Sequence, residues 1–221
     1  MSKSKLYYYK KFIIYKIKQL IEYIYITYLK STLTNKDFTI VSNNCIAGSI
    51  YEDLHIEYRT PTVGLFFFAP CYIKFISELK KNIDSELRFT NSSRYAKGNE
   101  LRANSWYPIG LLNNEIEIHF LHYQSEEEAY LKWERRKERI NWKNLFLIFT
   151  DNEGYSLDEV KKFDSIKYPK VFFSAKKIDG IKCLVHLNND GEHDNVGNLY
   201  DNRWNYRKHF NVVKWLNKSK N

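Results

Sequence analysis

From residue 38 onward, short apolar runs alternate with stretches whose apolar residues recur every three or four positions. The runs FTIVS (38–42), VGLFFFA (63–69), NLFLIFT (144–150), KVFFSA (170–175) and KCLVHL (182–187) are short and rich in β-branched and aromatic residues. Such runs predict strands covered on both faces. ELRF (86–89) predicts a further short strand, and IEIHFLHY (116–123) begins with the apolar/polar alternation of a strand with two different faces.

Helices are predicted between these runs. SIYEDLHI (49–56) reads as a short helix with Ser49 as N-cap. Pro70 suits a first turn, and Tyr72, Ile76, Leu79 and Ile83 continue from it as one apolar stripe. Ser125 with Glu128 and Ser156 with Glu159 have capping-box spacing, opening helices to about Ile140 and about Phe163. FNVVKWLNK (210–218) predicts a closing helix, whereas 90–106 and NNDGEHDNVGN (188–198) read as loops. Strands alternating with helices predict an α/β fold. It is a single layered domain over 37–221 with a mostly parallel sheet flanked by helices, preceded by an N-terminal amphipathic helix within 1–36.

Charge separates that helix from the body. The chain carries 35 Lys and Arg against 26 Asp and Glu, a net charge of +9, yet residues 1–36 hold eight Lys and one acid, Glu22. The body is therefore close to neutral, which argues against nucleic acid as a partner. Residues 5–30 put Ile13, Ile17, Leu20, Ile24 and Tyr28 on one helical stripe. Lys10, Lys11, Lys16, Lys18 and Glu22 interrupt any secretory core and weigh against a membrane span. Two readings stand for this helix: peripheral contact with an anionic membrane surface, or packing on its own domain or on a second subunit. Three separated cysteines, Cys45, Cys71 and Cys183, form no CxxC pair and suit a reducing cytoplasm, with the inner face of the membrane as the peripheral site.

Candidate chemistry sits where predicted strands end. After the first strand come Ser42, Asn43, Asn44 and Cys45, then Gly48 and Ser49 at a helix start, where free amides would hold a phosphate or carboxylate. The same residues make an ordinary strand–helix turn. Asp151, following the strand 144–150, would bind a metal-bound nucleotide or a sugar hydroxyl, although DNEG is also common turn chemistry. His119 and His122 are acid/base candidates, but their odd spacing turns them to opposite faces of a strand, so no joint metal site is expected. Arg135 and Arg139 share a helical face suited to clamping a phosphate, or simply to solvent. No P-loop, GxSxG, HExxH or DxD motif is present, and the sequence names no cofactor.

The segments SNNCIAGSIYEDLHIEYRTPTVGLFFFAPCYIKFI (42–76), YPIGLLNNEIEIHFLHYQSEEEAYLKWERRKERINWKNLFLIFTD (107–151) and FNVVKWLN (210–217) resemble a bacterial family catalogued as a domain of unknown function, whose members are often named exopolysaccharide biosynthesis proteins. The resemblance covers about residues 37–217. It implies an α/β domain working in capsule, exopolysaccharide or lipopolysaccharide assembly, and it carries over no catalytic residues. The expectation is a transferase acting on a phosphate-bearing glycan. Residues 42–49 would cradle phosphate, His119, His122 or Asp151 would do the chemistry, and Arg135 and Arg139 would offset charge. The alternative is a non-catalytic accessory or scaffold of the same assembly line, working through its N-terminal helix.

Overall fold

The structure is a computed structural model that describes residues 3–188 and 194–218. It opens with α1 (Lys3–Thr32), followed by β1 (Thr39–Ser42) and α2 (Ile46–Leu54). Next come α3 (Ala69–Ser77), α4 (Leu79–Asp84), β2 (Leu87–Thr90), α5 (Ala96–Asn104), β3 (Ile109–Leu112), β4 (Ile116–His119) and α6 (Glu126–Lys137). The second half holds β5 (Leu145–Thr150), α7 (Leu157–Ser165), β6 (Lys170–Ser174), β7 (Leu184–His186), α8 (Arg203–Arg207) and α9 (Val212–Leu216).

The protein is mixed α/β, with a four-stranded parallel sheet in the order β1-β5-β6-β7 and helices around it. Its central strands carry unbroken apolar runs, Leu145–Phe149 and Val171–Phe173, because both faces are covered. Val41, Leu147, Phe149 and Phe172 face one core with α3 and α7, and Ile40, Phe146, Ile148, Val171 and Phe173 face the other with α2 and α9. A second sheet, β2-β3-β4, is antiparallel and lies in the long insertion between β1 and β5.

Several expectations needed this insertion to be read correctly. The run 63–69 is not a strand. Phe66 exchanges both backbone bonds with His119 of β4, at 2.8 and 2.9 Å, while the next residue, Phe67, donates to Asn43 O beyond β1 at 2.8 Å. The segment is a rung between two sheets, and its apolarity records burial. The expected loop 90–106 contains α5, in which Gly98 is the buried residue. A Cβ at Gly98 would collide with Ser93 and with the His119 ring, so α5 docks through a bare backbone and shows no apolar stripe. A hairpin joins β3 to β4, an element outside the expected order. Asn113 and Asn114 both take positive φ, and Glu115 N–H bonds to Leu112 O at 3.1 Å, as a type I′ turn requires.

Caps differ in detail. Ser156 and Glu159 form the full box, whereas at α6 Ser125 accepts from Glu128 N–H and the Glu128 carboxylate takes Gln124 N–H instead. Ser49 lies inside α2, with its hydroxyl on Ile46 O. The stripe begun at Tyr72 breaks at Glu78 into α3 and α4. The expected loop 188–198 falls outside the described residues at 189–193.

The tips of β1 and β5 are joined by one buried side chain. Asn43 Oδ1 accepts from Thr150 N–H at 3.0 Å, and its Nδ2 donates to Thr150 O at 3.2 Å. Asn43→Ala would orphan two buried peptide groups, and a loss of about 2–4 kcal/mol is expected in urea unfolding. Lys81→Ala, which breaks only an exposed pair with Glu78, is expected to cost under about 0.5 kcal/mol. Equal effects of the two substitutions would show that the joint carries no special weight.

Candidate functional site

Parallel sheets normally place ligands in the crevice where strand order reverses. Here the order β1-β5-β6-β7 runs one way, so no such crevice arises. A cavity of about 280 Å³ lies instead beside α2, which follows edge strand β1, and is closed by the insertion.

One wall is α2. Cys45, Gly48 and Glu52 recur at helical spacing and present one side to the cavity. The loop from Tyr58 to Gly64 forms a second wall, with Tyr58, Val63 and Gly64 on it. Gly64 sits at φ +77°, and a Cβ there would come within 3.2 Å of the Tyr123 ring. His122 and Tyr123 follow β4, Lys132 and Arg136 project from α6, and Tyr200 closes the rim.

The lining carries two cations to one carboxylate. Arg136 Nη1 donates to Val63 O at 3.0 Å and to Tyr123 Oη at 2.5 Å, which fixes the guanidinium across the cavity from α2. Tyr123 Oη in turn donates to Val63 O at 2.6 Å. Lys132 is paired with Glu128 at 2.5 Å and lies over the Tyr123 ring. Glu52 accepts from Tyr58 Oη at 3.1 Å and Tyr200 Oη at 2.9 Å, and Arg203 meets it from behind at 2.5 Å. Burial alone would raise its pKa, but Arg203 and the tyrosines more than offset this and hold the carboxyl below the usual range.

The structure disperses the sequence candidates. Cys45, Gly48 and His122 line this cavity. Ser42, Asn43 and Asn44 work inside the fold: Ser42 Oγ donates to Asn44 O, Asn44 Nδ2 to Thr150 Oγ1 at 2.7 Å, and Asn44 Oδ1 takes the Ile46 N–H at the start of α2. That amide is one of those expected to meet an anion. Asp151 accepts from Ser174 Oγ, Ala175 N and Val196 N at 2.8–2.9 Å. Burial outweighs those bonds and raises its pKa. Its carboxylate pins β5 to β6 and to the 196 loop.

His119 is fully buried, stacked on Phe66, with Nε2 on Glu117 Oε1 at 2.7 Å and Nδ1 on Tyr107 Oη at 3.1 Å. Burial pushes the Glu117 pKa up, but His119, Ser93 and the Arg94 N–H more than reverse it. Arg135 is exposed on α6, and Arg139 pairs with Glu57 at 2.8 Å. Among the described residues, no group of three or more His, Cys, Asp or Glu is arranged to hold a metal.

The cation pair that does reach the cavity, Lys132 with Arg136, was legible in part. Arg136 continues the buried stripe of Ala129 and Trp133, so it faces the body while Arg135 turns outward. Glu52, Tyr58, Tyr123 and Tyr200 come from four separate stretches and carry no local signal.

The profile of a family described as "Domain of unknown function (DUF1919)" matches residues 16–217. The chain belongs to this family. An uncharacterized protein of Haemophilus influenzae is 30% identical over 194 residues, covering 86% of this chain and 88% of that protein. The family match takes in the second half of α1, which the resemblance over 37–217 left out. Glu22 of that half pairs with Arg207 at 2.8 Å, and Leu29 is buried against the body.

Cys45 sits at the N-cap of α2, a position that often activates a thiol. Here burial dominates and pushes it up to about 11, so it is a neutral wall residue at physiological pH. Its alkylation by iodoacetamide, followed by peptide mapping, is expected to keep climbing about tenfold per pH unit from pH 8 to 10. A plateau near pH 8.5 would mean an ordinary, accessible thiol.

Proposed function

We propose that this protein is a transferase of bacterial surface-polysaccharide assembly, working at the inner face of the membrane on a phosphate-bearing glycan. The supporting observation is the cavity beside α2, where Lys132 and Arg136 stand among three tyrosine rings and a deprotonated Glu52. A guanidinium with an ammonium suits a phosphoryl group, because both stay charged and donate strong hydrogen bonds. Phenol rings offer an apolar face and a hydroxyl, which suits the alternating apolar and hydroxylated surface of a sugar.

In this reading Arg136 and Lys132 hold the phosphate, and Glu52 accepts from a sugar hydroxyl. His122, exposed at the rim, moves the proton. His119 and Asp151 leave the reacting set, because each has its polar atoms engaged by protein partners. Cys45 stays a neutral thiol.

The test uses a strain whose own copy of the gene is replaced by variants. Arg136→Gln and His122→Ala are both expected to cut surface polysaccharide at least about tenfold at normal protein level, the scale expected of one charged contact or one proton-transfer group. Arg135→Gln, which alters an exposed residue outside the cavity, is the control and is expected to leave output unchanged. Normal output from both cavity variants would remove the enzyme reading and favour a non-catalytic accessory acting through α1.

A further inference from the structure

Residues 7–20 of α1 are solvated on every side. Each residue from 7 to 20 is exposed, although the stretch is dominated by Tyr, Phe, Ile and Leu. Ile13, Ile17, Leu20 and Ile24 are 40–58% exposed. They recur at helical spacing and form one continuous aliphatic stripe.

The body lies on the other side of the helix. Contact is made in the second half of α1, where Tyr25 and Ile26 are half-buried, Leu29 is buried, and Glu22 pairs with Arg207. On the helical wheel those residues centre about 160° from the aliphatic stripe, an angle that follows from the helix period of about 3.6 residues per turn. The stripe therefore points away from the protein.

Charge selects the occupant. Six lysines and no acid precede Glu22 in the sequence. Lys10 flanks the stripe on one side and Lys5 and Lys16 on the other, whereas Lys11 and Lys18 lie on the opposite face, and all five are exposed. Two copies of this segment paired with each other, in either direction, would bring their lysines together with no carboxylate to offset them. An anionic surface meets the three that flank the stripe with an opposite charge. The flanking position also lets each ammonium reach the headgroups while its alkyl stem follows the apolar side chains inward. No described helix is long and apolar enough to cross a membrane.

We propose that residues 5–24 form a docking surface for anionic phospholipid. The helix lies flat in the headgroup region with the Ile13–Ile17–Leu20–Ile24 stripe inward, and it holds the body on its outer side. This surface stands whatever the cavity binds, since it shares no residue with the cavity lining.

The full chain is tested by co-sedimentation with vesicles of phosphatidylcholine alone, or with about a third phosphatidylglycerol. Binding is expected to the anionic vesicles and not to the neutral ones, and to weaken as salt rises and screening sets in. Changing Lys5, Lys10 and Lys16 to Gln is expected to lower partitioning about a hundredfold, from the roughly fivefold that one lysine near an anionic surface supplies. Ile17→Ser with Leu20→Ser should lower it too with the lysines intact, and circular dichroism checks that both variants keep their helix. Equal binding to both vesicle types, no binding to either, or a lipid-free dimer in sedimentation velocity that the serine variant dissolves would each overturn the proposal.

Discussion

The carboxamide of Asn43 holds the molecule's central joint. A parallel strand pair has no hairpin to fix its register, so the β1–β5 contact must be set by tertiary bonds across a gap of about a hundred residues of chain. Asn43 does this with the geometry of a peptide group: one donor and one acceptor, both spent on Thr150. Its own carbonyl takes Phe67 N–H, and so draws in the segment that bridges to β4. Asn44, the next residue, ties Thr150 Oγ1 to the first amide of α2. One short stretch thus aligns the parallel sheet, seats the antiparallel insertion and aims the helix that walls the cavity.

The sequence disclosed elements wherever burial was periodic. The strands β1, β5 and β6 have adjacent apolar residues at their centres, which marks them as covered on two sides, and α7 declares itself through a complete capping box. What stayed hidden had no period to show. Residues 63–69 are as apolar as any strand, but they pass between two sheets and pair only at Phe66. The helix α5 buries a glycine and so lacks a stripe. The Asn113–Asn114 hairpin did leave a trace, since two adjacent asparagines are among the residues that tolerate positive φ, and the strands around it are short. The cavity was half legible. Cys45, Gly48 and His122 were nominated from strand ends, whereas Glu52 and the tyrosines meet only because the insertion folds back over α2.

From the cavity wall a chain of alternating charges runs into the protein. Glu52 meets Arg203, Arg203 meets Asp53 at 2.6 Å, Asp53 meets Arg207 at 2.6 Å, and Arg207 reaches Glu22 on α1 at 2.8 Å. Asp53 and Arg207 are almost completely buried. A buried ion pair regains little net energy beyond its desolvation cost, but removing one partner strands the other in low dielectric and costs far more. The ladder therefore acts mainly as a specifier: it admits one seating of α8 against α2 and one docking of α1 on both. Burial alone would lower the Arg207 pKa, yet Glu22 and Asp53 raise it. The guanidinium is charged at any pH the fold survives, which makes this a fixed brace.

The direction of strand order explains why the cavity lies at the sheet's edge. A doubly wound sheet gains its crevice from two crossovers that leave a strand on opposite sides. This sheet grows in one direction from β1, so its strand ends are free to close on themselves. They do: Thr150 is capped by Asn43, and Asp151 is saturated by Ser174, Ala175 and Val196. Polar residues at such ends serve the fold first, so a place at a strand end does not by itself mark a site. A ligand site then requires a second wall from elsewhere, and the only long insertion among the parallel strands supplies it, between β1 and β5. The cationic side chains of that wall ride on α6, beside its buried stripe, so their aim is set by core packing at Ala129 and Trp133. Any chemistry the protein performs there is bound to the same contacts that hold the insertion in place.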